Sequence, residues 1–267
     1  AKVAIGREAL GVATTADGNT SVGFDSLQAT TTGTFNTAIG RNSNFSNTTG
    51  ERNSSLGLNA MYSNTTGGCN VAMGGNSLYT NTTGSNNVAI GKCALEASTT
   101  ADDGTAIGNS ALAANTTGAM NVAVGAFALD ANTTAANNTG VGVSALGANT
   151  TGTQNVAVGK QALGSNTTGN SNVAVGLCAL ESNTTGIENV AISENAGCAN
   201  TTGNQIVGIG YKALRQNTDG DQNVGIGAFA GCNITTGCYN TYVGAESNPS
   251  SATVLFEQVF GRGGTGK

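Results

Sequence analysis

Histidine and tryptophan are absent from the chain, and proline occurs once, at Pro249. Without histidine, neither a Ser-His-Asp nor a Cys-His catalytic arrangement can be assembled. Charge is also scarce. Only 9% of residues are charged, and ten Lys and Arg are scattered over 267 residues with a net charge of −5. Phosphate recognition needs a basic stripe, so nucleic acid is not an expected partner. Apolar runs are short, far below the roughly 20 residues of a membrane-crossing helix, so no membrane span is expected. Aromatic residues make up 4%, which leaves few large side chains for a conventional core. The six cysteines include no Cys-x-x-Cys spacing, so no metal site is expected and no cofactor is implied. No cluster of titratable residues repeats or converges, which argues against an enzyme.

What the chain has is repetition. Its 41 glycines follow no three-residue period, which excludes collagen. They recur instead with a period of 17 residues from Lys2 to Asn240, giving fifteen repeats without insertion or deletion. Lys2 is position 1 of the first repeat. Position 2 is Val, Thr or Ser, position 3 is small until Tyr242, and position 4 is always apolar. Position 5 is Gly except at Ser193, position 8 is Ala or Ser, and position 9 is most often Leu. Positions 12 to 15 favour Asn-Thr-Thr-Gly.

Alternation of larger and smaller residues in Val-Ala-Ile is a strand signal with period two, placing positions 2 and 4 on one face. The Gly that follows suits a bend with positive φ or a close backbone approach. A second short strand is expected to carry the Ala-Leu pair, and Asn-Thr-Thr-Gly to turn the chain back. A coil of 17 residues cannot bury its own apolar face and must stack on identical neighbours. The expected fold is therefore all-β: a parallel β-solenoid or flattened β-roll over residues 1–248, followed by a non-repeat tail over residues 249–267. The continuous ladder of Val, Ile and Leu should carry its stability. The small residues at positions 3 and 8 have two readings. They form surface stripes that let chains approach closely, or they fill a narrow interior.

The segment NVAIGKCAL, Asn87 to Leu95, resembles the head repeats of trimeric autotransporter adhesins. NTAIGRNS and NVAVGKQAL followed by NTTG are similar to repeats of phage tail fibres and related bacterial fibre proteins. The resemblance covers about residues 2–248. It implies a left-handed parallel β-roll, assembly as a homotrimer, and a location outside the cell, on a cell surface or on a virion.

Several residues are candidates for contacts. Phe45, Tyr62 and Tyr79 share position 10 in three successive repeats and should form an aromatic ladder, either to stack on receptor sugars or simply to stabilise the sheet. The tail carries Val254, Leu255, Phe256, Val259 and Phe260, apolar enough to dock on an adjacent subunit and link subunits end to end. Its last stretch, GRGGTGK, would need such a neighbour to be pinned. Cys232 and Cys238 flank one turn and either pair with each other or remain packed free thiols. Asn-Thr-Thr recurs nine times as a glycosylation sequon, but stacking at roughly 4.8 Å leaves no room for a glycan on every coil. A ladder of Asn amides fits better. The Thr-Thr column raises ice binding, although adjacent residues of a strand point opposite ways. Asp102-Asp103 and the Asp219 and Asp221 pair fall in turns, where solvation competes with weak Ca²⁺ binding. The expected role is that of a non-enzymatic extracellular fibre subunit. A glycan-binding tail fibre or adhesin and an ice-binding solenoid are the alternatives.

Overall fold

A computed structural model of the chain describes residues 1–261 of 267. The part of the GRGGTGK stretch beyond Gly261 lies outside the described residues. The chain divides into two units, Ala1–Asn137 and Asn138–Lys267. In the first unit, positions 2 to 4 of each repeat form three-residue strands: β1 Val3–Ile5, β2 Thr20–Val22, β3 Thr37–Ile39, β4 Ser54–Leu56, β5 Val71–Met73, β6 Val88–Ile90, β7 Thr105–Ile107 and β8 Val122–Val124. In the second unit the same positions give β9 Thr139–Val141, β10 Val156–Val158, β11 Val173–Val175, β12 Val190–Ile192, β13 Val207–Ile209, β14 Val224–Ile226, β15 Thr241–Val243 and β16 Gln258–Phe260.

Within each unit, consecutive strands pair in parallel, with each residue facing its equivalent 17 positions on, such as Val3 with Thr20 and Val173 with Val190. Each unit is thus a parallel β-solenoid. The ladder does not stop at residue 248. β16 pairs with β15 in the same register, Thr241 with Gln258 and Val243 with Phe260. Residues 249–256 therefore complete the fifteenth turn, and residues 257–261 begin a sixteenth rather than forming a tail outside the repeat. Backbone pairing and a sound Gly261 suffice to extend the coil even where Glu257 and Val259 replace the usual Asn and Ala.

Positive φ shapes the rest of each turn. Positions 7, 9 and 17 are left-handed: Cys93 at 57°, Leu95 at 51° and Asp103 at 58° are representative. The expected second strand at positions 8 and 9 is consequently not formed, because its alternate residues leave the β region. The segment is a run of turns that still bonds to the next coil, as in Leu95 N–H to the Ala111 carbonyl at 3.0 Å. The Gly at position 5 is required twice over. Gly159 has φ of 134°, and a Cβ there would sit 2.4 Å from the Gly176 carbonyl oxygen of the next coil.

The interior reverses the expected role of the apolar residues. From the second coil to the fifteenth, position 3 is buried while positions 2 and 4 face outward, as in Val156, Ala157 and Val158. The coil is too narrow for two β-branched side chains. Ala at positions 3 and 8 and Leu at position 9 fill it instead, including Ala89, Ala94 and Leu95 at 0% exposure. The small residues are thus interior filling rather than surface stripes. Leu accepts a left-handed backbone because burying it returns about 1.5–3 kcal/mol, against about 1–2 kcal/mol for the conformation.

The other half of the interior is polar and closed by asparagine. At position 12, Asn64 Nδ2 donates to Asn47 Oδ1 at 3.2 Å and to the Gly67 carbonyl at 3.0 Å. At position 1, Asn36 Nδ2 donates to the Gly50 carbonyl, and Asn36 Oδ1 accepts from the Asn53 backbone N–H at 2.9 Å. All nine Asn of the Asn-Thr-Thr segments are buried. The expected amide ladder is present, and these sequons are closed to a glycan. Position-13 Thr hydroxyls are spent on the backbone, as in Thr82 Oγ1 to the Thr99 carbonyl at 3.0 Å, while the Thr at position 14 is exposed and gives way to Asp219 in the thirteenth coil.

Candidate binding and assembly surfaces

The outward side chains of position 4 form an apolar row on the ladder of each unit, flanked in the second to fifteenth coils by half-buried Val, Thr or Ser at position 2. Their exposure reaches 61% at Ile5, 40% at Ile39 and 47% at Leu56 in the first unit. In the second unit it is 38% at Ile192 and 40% at Ile226. This surface follows directly from the narrow interior: the residues best suited to the strand are those the coil cannot enclose.

A second surface is built from the turn at positions 6 to 11. Phe45 stacks on Tyr62 with ring centroids 5.0 Å apart and planes 3° from parallel. Tyr62 stacks on Tyr79 at 5.3 Å and 16°. The three predicted residues are therefore brought together as a ladder. Both faces of the Tyr62 ring are covered by its neighbours, so the ladder presents ring edges and phenol hydroxyls to solvent. Beside it runs a feature that the sequence reading overlooked. Asn42, Asn59 and Asn76, all at position 7, form an amide ladder, with Nδ2 of Asn42 donating to Asn59 Oδ1 at 3.1 Å and Nδ2 of Asn59 to Asn76 Oδ1 at 3.3 Å. Its signal was available in the recurrence of Asn at one repeat position.

Near the start of the chain, Phe24 is held between two guanidinium groups, Arg7 at 5.4 Å and Arg41 at 5.6 Å from the ring centroid. These three side chains share position 6, another column created by the period.

The predicted tail residues lie on the last described turn. Phe256 stacks on Tyr239 at 5.0 Å and remains 71% exposed, and Phe260 is 69% exposed. Leu255 is exposed, whereas Val254 and Val259 are half-buried. Of the two readings for Cys232 and Cys238, the disulfide is not formed. Both are free thiols with separate surroundings, Cys232 Sγ donating to Asn248 Oδ1 at 3.3 Å and Cys238 Sγ accepting from the Asp221 backbone N–H at 3.3 Å. Burial raises the thiols of Cys93, Cys198 and Cys232, and it pushes Cys178 up to about 11 with help from nearby Glu181. None of these is poised as a nucleophile, because the thiolate is the reactive form.

The turn carboxylates bond to backbone. Asp102 Oδ1 accepts from Ser85 N–H and Asp221 Oδ1 from Asn204 N–H, both at 2.7 Å. Among the described residues no group of three or more Cys, Asp and Glu side chains converges, and no helix is long and apolar enough to cross a membrane. No protein-family model matches the chain, and neither a curated protein nor a solved structure is significantly similar to it.

Proposed function

We propose that the chain is a non-enzymatic structural subunit of an extracellular fibre, and that it self-associates as a homotrimer of left-handed β-rolls through the face of positions 2 and 4. The observation that supports this reading is the outward orientation of Val and Ile on the ladder of each unit, where they remain partly exposed among the described residues. Exposed apolar area of this regularity marks an interaction surface, and an identical copy presents the same face with the same period. Residues Leu255, Phe256 and Phe260 supply a second apolar contact for end-to-end association. The role of such a subunit is length and stiffness, which a ladder of paired coils provides without a large core.

The test is the mass of the full chain in solution together with electron microscopy of the same sample. A trimeric mass, and its loss on Ile107→Glu combined with Ile192→Glu, is the expected result. Both substitutions leave the buried positions untouched. A wild-type chain that stays monomeric at micromolar concentration would refute the proposal.

A further inference from the structure

Two surface columns coincide in one stretch of the chain. Position 7 carries Asn42, Asn59 and Asn76, while position 10 carries Phe45, Tyr62 and Tyr79. In no other repeat does an Asn at position 7 accompany an aromatic ring at position 10. The two columns lie against each other. Gln28 at position 10 donates to Glu8 at position 7 of the preceding coil at 2.5 Å, and Asn76 at position 7 donates to Glu96 at position 10 of the following coil at 3.5 Å. The amide ladder and the aromatic ladder are therefore two rails of one strip, and all six side chains remain partly accessible.

We propose that this strip binds an extended, neutral, β-1,4-linked hexose polymer lying along the solenoid. The hydrogen-bonding chemistry repeats once per coil. Asn42 and Asn59 each spend one N–H on the next Asn, and Asn76 spends one on Glu96; each amide keeps a second N–H and an oxygen lone pair. The hydroxyls of Tyr62 and Tyr79 have no hydrogen-bond partner among the described residues, so each can donate and accept outward. Sugar hydroxyls are both donors and acceptors and satisfy such a mixed row. The ring edges offer apolar contact to the C–H groups of a pyranose.

The repeat distance selects the linkage. The rings recur at 5.0 and 5.3 Å, and a β-1,4-linked hexose chain in its extended form advances by nearly the same distance per sugar. An α-1,4-linked chain curls and loses register with a straight ladder. The charge selects a neutral polymer. Asp25 precedes Asn42 in its column and Glu96 follows Tyr79, so carboxylates stand at both ends and disfavour an acidic glycan. The strip uses positions 7 and 10, not the positions 2 and 4 of the assembly face. Its occupancy is thus independent of the fibre reading, and either can fail alone.

The experiment is calorimetric titration of the full chain with cellohexaose, chitohexaose and maltohexaose, with the oligomer mass measured on the same sample. Binding of a β-1,4-linked hexasaccharide with no response to maltohexaose is expected. Asn59→Gly removes one amide while tolerating φ of 55°, and Tyr62→Phe removes one hydroxyl while keeping the ring stack. Each should weaken binding by about fivefold, the worth of one neutral hydrogen bond. Asn195→Gly, at position 7 of a coil without an aromatic partner, should leave binding unchanged. If Asn59→Gly does not fold, Tyr62→Phe carries the test alone. Absence of binding by both β-1,4-linked probes, equal binding of maltohexaose, or indifference of binding to the folded variants would overturn the proposal.

Discussion

Replacing Ser193 by glycine should stabilise the protein, against the usual rule that glycine weakens a fold. Ser193 has φ of 113°, in a region that L side chains rarely occupy. The equivalent residue is Gly in the other repeats, including Gly176 and Gly210 on either side, with φ of 137° and 127°. The cost of holding a side chain there is about 1–3 kcal/mol. Glycine adds back about 0.5–1 kcal/mol of backbone entropy lost on folding. The balance is a gain of roughly 0.5–2 kcal/mol for Ser193→Gly. At roughly 2–4 °C per kcal/mol, the midpoint of thermal unfolding should rise by a few degrees. A repeat array can open locally, so the assay should also follow amide exchange over residues 176–210, where slower exchange is expected. The reciprocal change, Gly176→Ser, should destabilise, since a Cβ there meets the Ser193 carbonyl carbon at 2.5 Å. A loss of stability in Ser193→Gly would refute the reasoning and mean that the Ser193 side chain contributes more than its backbone costs.

Asn44→Leu should raise stability by about 1–3 kcal/mol, because Asn44 is buried in the leucine column with neither amide atom hydrogen-bonded. Leucine already tolerates the same left-handed backbone at Leu27, and urea unfolding of the pair of proteins checks the sign. Stability should also fall as pH rises above about 9. The unfolded chain releases the Cys178 proton near 9.0, whereas the folded chain holds it to about 11, so the native state is favoured below that window and loses the advantage through it. Cys178→Ser, a residue found at the same repeat position in Ser110 and Ser144, should lessen the drop in urea midpoint between about pH 8 and pH 10.5. An unchanged drop would remove Cys178 from the account.

The parts of the fold legible in the sequence are those set by spacing. A strict period of 17 places every strand, the register of each pair and the bend at position 5, since a single insertion would break the ladder. Alternation in Val-Ala-Ile also predicts that position 3 opposes positions 2 and 4. It does not say which side is inside, and hydrophobicity points to the wrong one. The deciding quantity is the width of the coil, which emerges only when Ala and Leu at positions 3, 8 and 9 are packed together. The turn at positions 7 to 9 was illegible for a related reason. Leucine with φ near 50° is contrary to local preference, and only the burial it gains explains it. The aromatic ladder was readable from residue type alone. The Asn ladder beside it needed the knowledge that positions 7 and 10 share a side of the coil.

Departures from the repeat show that interior volume, rather than residue identity, is what each coil maintains. Gly197 stands where Leu is usual, and the space is closed by Ile206, which replaces an Asn: a Cβ on Gly197 would lie 3.1 Å from Leu180 Cδ2 and 3.4 Å from Ile206 Cδ1. Gly231 makes the same exchange on a larger scale. Its missing side chain admits the ring of Tyr242, which takes the place of a position-3 Ala and is fully buried, and a Cβ on Gly231 would meet that ring at 2.6 Å. Burial of Tyr242 leaves a phenol that must be satisfied, and its hydroxyl donates to Glu257 at 3.3 Å. Glu257 in turn sits at position 1 of the sixteenth turn, where its backbone N–H still donates to Asn240 Oδ1 at 2.8 Å. One substitution thus requires the next: a glycine opens the core, a tyrosine fills it, and a glutamate replaces an asparagine to receive the buried hydroxyl. Such linked changes are tolerated because each coil contacts only its immediate neighbours, so a change in volume or hydrogen bonding is compensated locally. The outward positions carry no such constraint. That freedom lets one short stretch of coils assemble the amide and aromatic rails without disturbing the ladder beneath them.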